Sequence, residues 1–146
     1  MNSDATSGID VSAKTLDASV LRANSDKRRR RKFSNDGQGH QQLIDWLRLH
    51  AVTRVVCEAT GVYHLDMAFA LTDAGIPLMV ANPRQVKRFI EARARNTQSD
   101  VIDADELAEY ARRMDFVPWK APPINGFELH KLGRAIGQDR KSTRLN

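Results

Sequence analysis

Apolar residues recur along this chain in two alternating rhythms that together predict an α/β domain. Residues 8–11 and 16–21 are short apolar runs separated by Ser12-Ala13-Lys14, the layout of two strands opening a hairpin. A third strand is expected over 28–33 despite its charge, because Phe33 and then Ser34-Asn35-Asp36-Gly37 close it as a turn would. At a sheet edge, its lysines and arginines would discourage pairing with other chains. Leu43, Trp46, Leu47 and His50 follow at helical spacing and predict a helix over 38–49, after which the β-branched run 52–57 reads as a buried strand ending at Glu58.

The helical rhythm returns over 62–74 through Leu65, Ala68, Phe69 and Leu71. Gly75 closes it, and 76–80 reads as another buried strand. Strand, helix, strand in that order implies parallel pairing. Asn82-Pro83 opens a basic helix running to about Ala94, with Asn as the cap and Pro in the first turn. A last helix over 99–113 carries Ile102, Leu107, Ala108 and Ala111 on its apolar side. Pro118, Pro122 and Pro123 then break the pattern, and beyond Ile124 only a weak helical tendency remains. No internal repeat is present.

With 146 residues the chain has room for one domain of ordinary size, and 41% hydrophobic against 28% charged residues excludes wholesale disorder. No apolar run approaches bilayer-spanning length, and residues 1–8 lack the layout of a signal peptide, so the expected address is the cytoplasm. Cys57 is the only cysteine, which excludes an internal disulfide framework and any zinc site built on several thiolates; a buried thiol is expected.

Charge distribution says more than the net +5. Residues 27–32 form an unbroken basic hexamer. Residues 84–95 hold five basic residues against Glu91, and 131–144 hold five against Asp139. Between the last two blocks, residues 100–109 hold five acids and no base: Asp100, Asp103, Asp105, Glu106 and Glu109. A phosphate-binding rim beside a carboxylate pocket would have this layout, although the hexamer also fits a solvated loop or edge strand.

The informative acids lie at element ends. Asp10 interrupts an apolar strand, where an acid is out of character. Glu58 stands at the C-terminal end of an expected inner strand, the edge of an open α/β sheet where ligands bind. Asp100 and Asp103, three residues apart on the expected last helix, would project from one face and repel each other. Such a group favours a counter-cation, and hard oxygen ligands suit Mg²⁺ or Mn²⁺. Two such ions about 4 Å apart can activate a nucleophile and stabilise the leaving oxygen in phosphodiester cleavage.

Each acid also has a plainer reading. Asp10 fits a strand-end turn residue, and Glu58 fits a charge favouring the next helix N-terminus. Thr97-Gln98-Ser99-Asp100 resembles a capping box with Asp in place of Glu. His40, His50, His64 and His130 show no metal spacing and read as surface or satisfied residues. Trp46 and Phe69 read as core. Tyr63 reads as core or as a substrate contact near Glu58, with core favoured.

The chain resembles the DEDD transposases of bacterial insertion sequences, whose N-terminal domain is similar to Holliday-junction resolvases of the ribonuclease H-like fold. The resemblance rests on Gly8-Ile9-Asp10-Val11-Ser12 with Lys14, Glu58-Ala59-Thr60-Gly61-Val62-Tyr63, Asn82-Pro83-Arg84-Gln85-Val86, and Asp100-Val101-Ile102-Asp103-Ala104 with Leu107-Ala108. It covers roughly residues 7–120, after a short N-terminal stretch (1–6) and before a divergent segment (121–146). It implies a mixed central sheet flanked by helices. It also implies that Asp10, Glu58, Asp100 and Asp103 hold divalent metal, Mg²⁺ or Mn²⁺, for chemistry on DNA in transposition. Lys14, Arg84, Lys87, Arg88, Arg93 and Arg95 are then the expected nucleic-acid contacts. The implied partners are DNA, a structured guide RNA and, for the full-length protein, further copies of itself, at the bacterial nucleoid.

Two departures qualify the resemblance. Gln98-Ser99 stand where the family carries Lys-Thr, leaving Arg93 or Arg95 to supply the phosphate contact. The family chain continues into a second, serine-bearing domain, so a truncated or frame-disrupted chain lacking that nucleophile is expected. Two rival functions follow: a nucleic-acid-binding remnant without chemistry, and an actin-like ATPase with Asp10 at the phosphate. The latter is opposed by Ser12 where such loops need glycine.

Overall fold

The computed structural model describes residues 4–59, 61–93 and 102–122. Five strands and four helices occur among them: β1 (Ala5–Val11), β2 (Thr15–Arg22), β3 (Arg28–Ser34), α1 (Gly37–Leu49), β4 (Val52–Glu58), α2 (Leu65–Asp73), β5 (Leu78–Ala81), α3 (Pro83–Arg93) and α4 (Ala104–Arg113). The strands form one mixed sheet in the order β3-β2-β1-β4-β5. β1 to β3 are an antiparallel meander, whereas β4 runs parallel to both β1 and β5. The basic strand β3 is an edge, as its composition predicts.

Period-two alternation divides the side chains between two cores. Ile9, Val11, Leu16, Ala18, Val20, Phe33, Val55 and Cys57 point to one face and pack with Leu43, Trp46 and Leu47 of α1 and Met67, Ala68 and Leu71 of α2. Val56, Met79 and Ala81 point to the other, under Val86, Phe89 and Ile90 of α3 and Leu107, Tyr110 and Ala111 of α4. Burial pushes the Cys57 thiol up to about 12, consistent with an inert core residue.

Helix α4 lies directly on β1 because Gly8 presents no side chain there. A Cβ on Gly8 would collide with the Ala104 carbonyl oxygen, the Ala108 amide nitrogen and the Leu107 Cβ. Beside it the buried Thr6 hydroxyl donates to the Ala108 carbonyl at 3.0 Å. These contacts fix where the N-terminus of α4 meets the sheet.

Several boundaries differ from expectation. The last helix begins at Ala104, because extended Asp103 (φ −136°) is its N-cap and accepts from the Glu106 amide at 2.9 Å. Asp103 therefore stands at the end of the helix and not on its face; Asp100 and the capping-box segment 97–100 lie outside the described residues. α2 starts at Leu65, since residues 61–64 are turns with Gly61 at φ +60°, and this leaves Tyr63 53% exposed and out of the core. Gly75 at φ +79° closes a Schellman motif in which the Ile76 amide donates to the Leu71 carbonyl, so Ile76 belongs to the cap and β5 begins at Leu78.

Among the aromatic residues, Trp46 is core, and Phe69 is half-buried with its ring edge-on to Trp119. Among the histidines, His40 is buried and bonds Asn35 Oδ1 at 2.8 Å, whereas the buried Nδ1 of His50 has no hydrogen-bond partner among the described residues and its ring rests on Trp46. Residues 123–146, including His130 and the third basic block, lie outside the described residues.

Candidate active site

The strand registers lay polar side chains from four strands in one transverse row on the α4 face. Lys32 of β3 pairs with Asp17 of β2, and Asp17 pairs with Asp10 of β1. Glu58 of β4 follows one residue after the last paired positions Ile9 and Cys57, which carries the row on past Asp10. Asp10 and Glu58 sit at the C-terminal ends of parallel neighbours, where side chains project beyond the hydrogen-bonded ladder. The N-cap of α4 brings Asp103 to the same place.

The electrostatics register this convergence. The Asp10 carboxyl is raised above the usual range by burial, then by the charges of Asp17 and Asp103. Glu58 is raised by burial and by the charge of Asp10. Of the sequence-predicted acids, Asp103 thus acts on Asp10, and Asp10 on Glu58. Asp100 lies outside the described residues. Among the described residues, no three His, Cys, Asp or Glu side chains gather as a ready ligand set.

Beside these acids opens a cleft of about 460 Å³ lined by Asp10, Asp17, Arg30, Lys32, Asp103 and Asp105, among others. Asp17 was not anticipated as a site residue. The signal for it lay in the hairpin: a turn at 12–15 sets 10 opposite 17, and polar Asp17 and Ser19 alternate with Leu16, Ala18 and Val20.

Asp105, Glu106 and Glu109, the other acids of the cluster, are occupied structurally, Glu106 by Arg93. Asp105 accepts from Ser19 Oγ at 2.7 Å and from Arg30. Glu109, with a side chain only 5% exposed, is bound by Arg28 at 3.0 Å, Arg112 at 3.0 Å and Arg113 at 2.9 Å. Burial works to raise the Glu109 carboxyl, and the arginine hydrogen bond and charges outweigh it, leaving it below the usual range.

Of the expected nucleic-acid contacts, Lys14 is exposed after β1, and Arg84, Lys87 and Arg88 are exposed on α3. Asn82 caps α3, its Oδ1 accepting from the Arg84 amide at 2.8 Å. Arg93 is engaged by Glu106 and Glu109 of α4 and lies over the Phe89 ring. Arg95 lies outside the described residues.

The family model described as Transposase, that of the IS110-type DEDD transposases, matches residues 7–141. This chain belongs to that transposase family. As a member, it is a domain of an enzyme that acts on DNA. No curated protein matches the chain. Among solved structures it is similar to T. thermophilus RuvC in complex with Holliday junction substrate, at 16% identity and a TM-score of 0.57, over 80% of this chain and 99% of that one. The fold is thereby ribonuclease H-like, as the DEDD resemblance implies. The Aquifex aeolicus PPX-GPPA enzyme aligns more loosely, at 13% identity and a TM-score of 0.40, over 67% of this chain and 43% of that one.

Proposed function

We propose that this transposase domain is metal-dependent, with Asp10, Glu58 and Asp103, joined by Asp100, holding Mg²⁺ or Mn²⁺ against a DNA phosphodiester during strand transfer. The observation that carries the reading is the convergence of these acids: Asp10 and Glu58 end neighbouring parallel strands, and Asp103 at the N-cap of α4 lines the same cleft as Asp10, with burial and then the charges of Asp17 and Asp103 raising Asp10, and burial and then Asp10 raising Glu58. Carboxylates crowded without a matched cation favour one from solution, and an all-oxygen donor set suits a hard divalent ion. The three described acids do not complete a ligand set by themselves, so the reading requires Asp100.

A bound divalent cation would supply charge neutralisation and Lewis acidity at the phosphate. The protein's own part is to hold the carboxylates in place. Two strand ends fix Asp10 and Glu58, and the Glu106 amide orients Asp103. Lys14, Arg84, Lys87 and Arg88 are exposed and available for phosphate contacts, and Arg95 is proposed to join them. Arg93 would have to leave its α4 partners to join them. DNA and a guide RNA are the proposed partners, the protein working as a homo-oligomer at the nucleoid in the bacterial cytoplasm.

Calorimetric Mg²⁺ or Mn²⁺ titration of the chain and of Asp10→Asn and Glu58→Gln tests the reading. Saturable uptake by the parent chain that is lost in both variants, with circular dichroism unchanged, is expected. Equal uptake by all three would overturn it in favour of a domain that only binds nucleic acid.

A further inference from the structure

The transverse row that holds Asp10 and Glu58 ends at the sheet edge in a cation. Alternation along β3 sorts its five consecutive basic residues by face. Arg29 and Arg31 share the α1 face with Phe33, whose ring lies under Arg31 and against Trp46. Arg28, Arg30 and Lys32 share the α4 face, and their binding grows looser along the strand. Arg28 is held by Glu109 and half-buried. Arg30 is exposed yet makes three hydrogen bonds to Asp105. Among the described residues Lys32 has only the Asp17 carboxylate at 3.5 Å, in a pair whose side chains are 65% and 47% exposed. Exposed pairs of this kind are held weakly.

We infer that Lys32, with Arg30 beside it, is a positioning site for the DNA backbone phosphate neighbouring the one acted on at Asp10, Glu58 and Asp103, the juxtaposition being one cleft lined by Asp10 and Asp103 together with Arg30 and Lys32. The inference rests on the metal-dependent reading above and deepens it. Lys32 stands two strand spacings from Asp10, about 10 Å, so one backbone laid along the row reaches both ends. Asp17 is the resident counter-ion that keeps the ammonium over the cleft until a phosphate replaces it. A lysine suits this task because it meets a phosphate as a point charge without demanding the fixed fork geometry of arginine.

The test is binding of a short DNA duplex of arbitrary sequence to the whole chain in Ca²⁺, measured across a salt series. Lys32→Ala is expected to weaken binding and to reduce the slope of log K against log salt by about 0.9, the loss of one phosphate contact. Lys32→Arg should restore both. Arg29→Ala removes the same charge from the same strand on the opposite face and should alter neither. Equal losses in the two alanine variants, no loss in Lys32→Ala, or no duplex binding by the parent chain would overturn the inference. Failure of the metal reading shows separately, as absence of Mg²⁺ uptake by the parent chain while the difference between the Lys32 and Arg29 variants persists.

Discussion

Asp10 and Asp17 are direct partners across the β1–β2 ladder, their side chains on the same face of the sheet. Like charges in such a pair repel, and the Asp10 carboxyl is raised accordingly, after burial, by Asp17. Asp17→Asn removes this repulsion, so the Asp10 pKa should fall and the acid limb of Mg²⁺ affinity against pH should move to lower pH. The sign for stability follows. A carboxyl whose folded pKa is raised binds more protons folded than unfolded, so its charge disfavours the fold as pH rises above the ordinary value of 3.8. Asp17→Asn should therefore raise the melting temperature at pH 7 and leave it nearly unchanged well below that value. An unmoved acid limb would show that the two carboxylates are not coupled.

Asp103 serves the helix and the acid cluster with the same side chain. Its Oδ1 accepts from the Glu106 amide at 2.9 Å, while its charge raises Asp10. Asparagine caps helices about as well as aspartate, so Asp103→Asn should keep stability within a few tenths of a kcal/mol while abolishing metal-dependent activity. Asp103→Ala should lose that activity and about 1 kcal/mol besides. Urea denaturation of the two variants separates the roles; equal destabilisation in both would show that the cap contributes nothing.

The meander and the β4–α2–β5 unit were legible because their apolar runs stop at turn residues, and both informative strand acids were visible as polar residues at strand ends. The start of α4 was misread because apolar Ile102 extends the helical rhythm past Asp103, while the cap itself is a local hydrogen bond with no periodic signature. For Tyr63 the sequence leaves core and substrate contact open with core favoured, whereas the turn at Gly61, φ +60°, leaves the side chain exposed. Asp17 and the arginine cluster on Glu109 escaped notice for a different reason. Asp17 depends on which strand residues face each other, and the cluster on Glu109, though Arg112 and Arg113 are its neighbours on α4, is completed by Arg28 some eighty positions away. Local pattern carries no register.

Gly8 makes the close approach of α4 to β1 possible, so Gly8→Ala sets a Cβ against the backbone of Ala104 and Ala108, where no flexible side chain can yield. The helix must shift, at a cost of about 3 kcal/mol, the upper end for overpacking a core. The same shift moves Asp103 relative to Asp10. The variant should therefore lose metal affinity even at temperatures where circular dichroism shows it folded. Retained affinity in a folded variant would mean that the helix does not position Asp103.

Glu109 anchors α4 through charge. Its nearly buried carboxylate binds Arg28 of the edge strand along with Arg112 and Arg113 of its own helix, and Arg93 of α3 approaches to 3.9 Å. Removing one member of a buried ionic cluster strands the others, so Glu109→Ala should cost about 3 kcal/mol. The pH dependence runs opposite to that of Asp10. Because the folded pKa of Glu109 lies below its ordinary value of 4.5, its stabilisation is present above that pH and is lost as pH falls through the folded pKa. The gap in unfolding free energy between the parent chain and Glu109→Gln should accordingly be full at pH 7 and narrow on acidification below about 4.5. Chemical denaturation at a series of pH values measures it, and a gap that stays constant to pH 3 would show that Glu109 acts by packing alone.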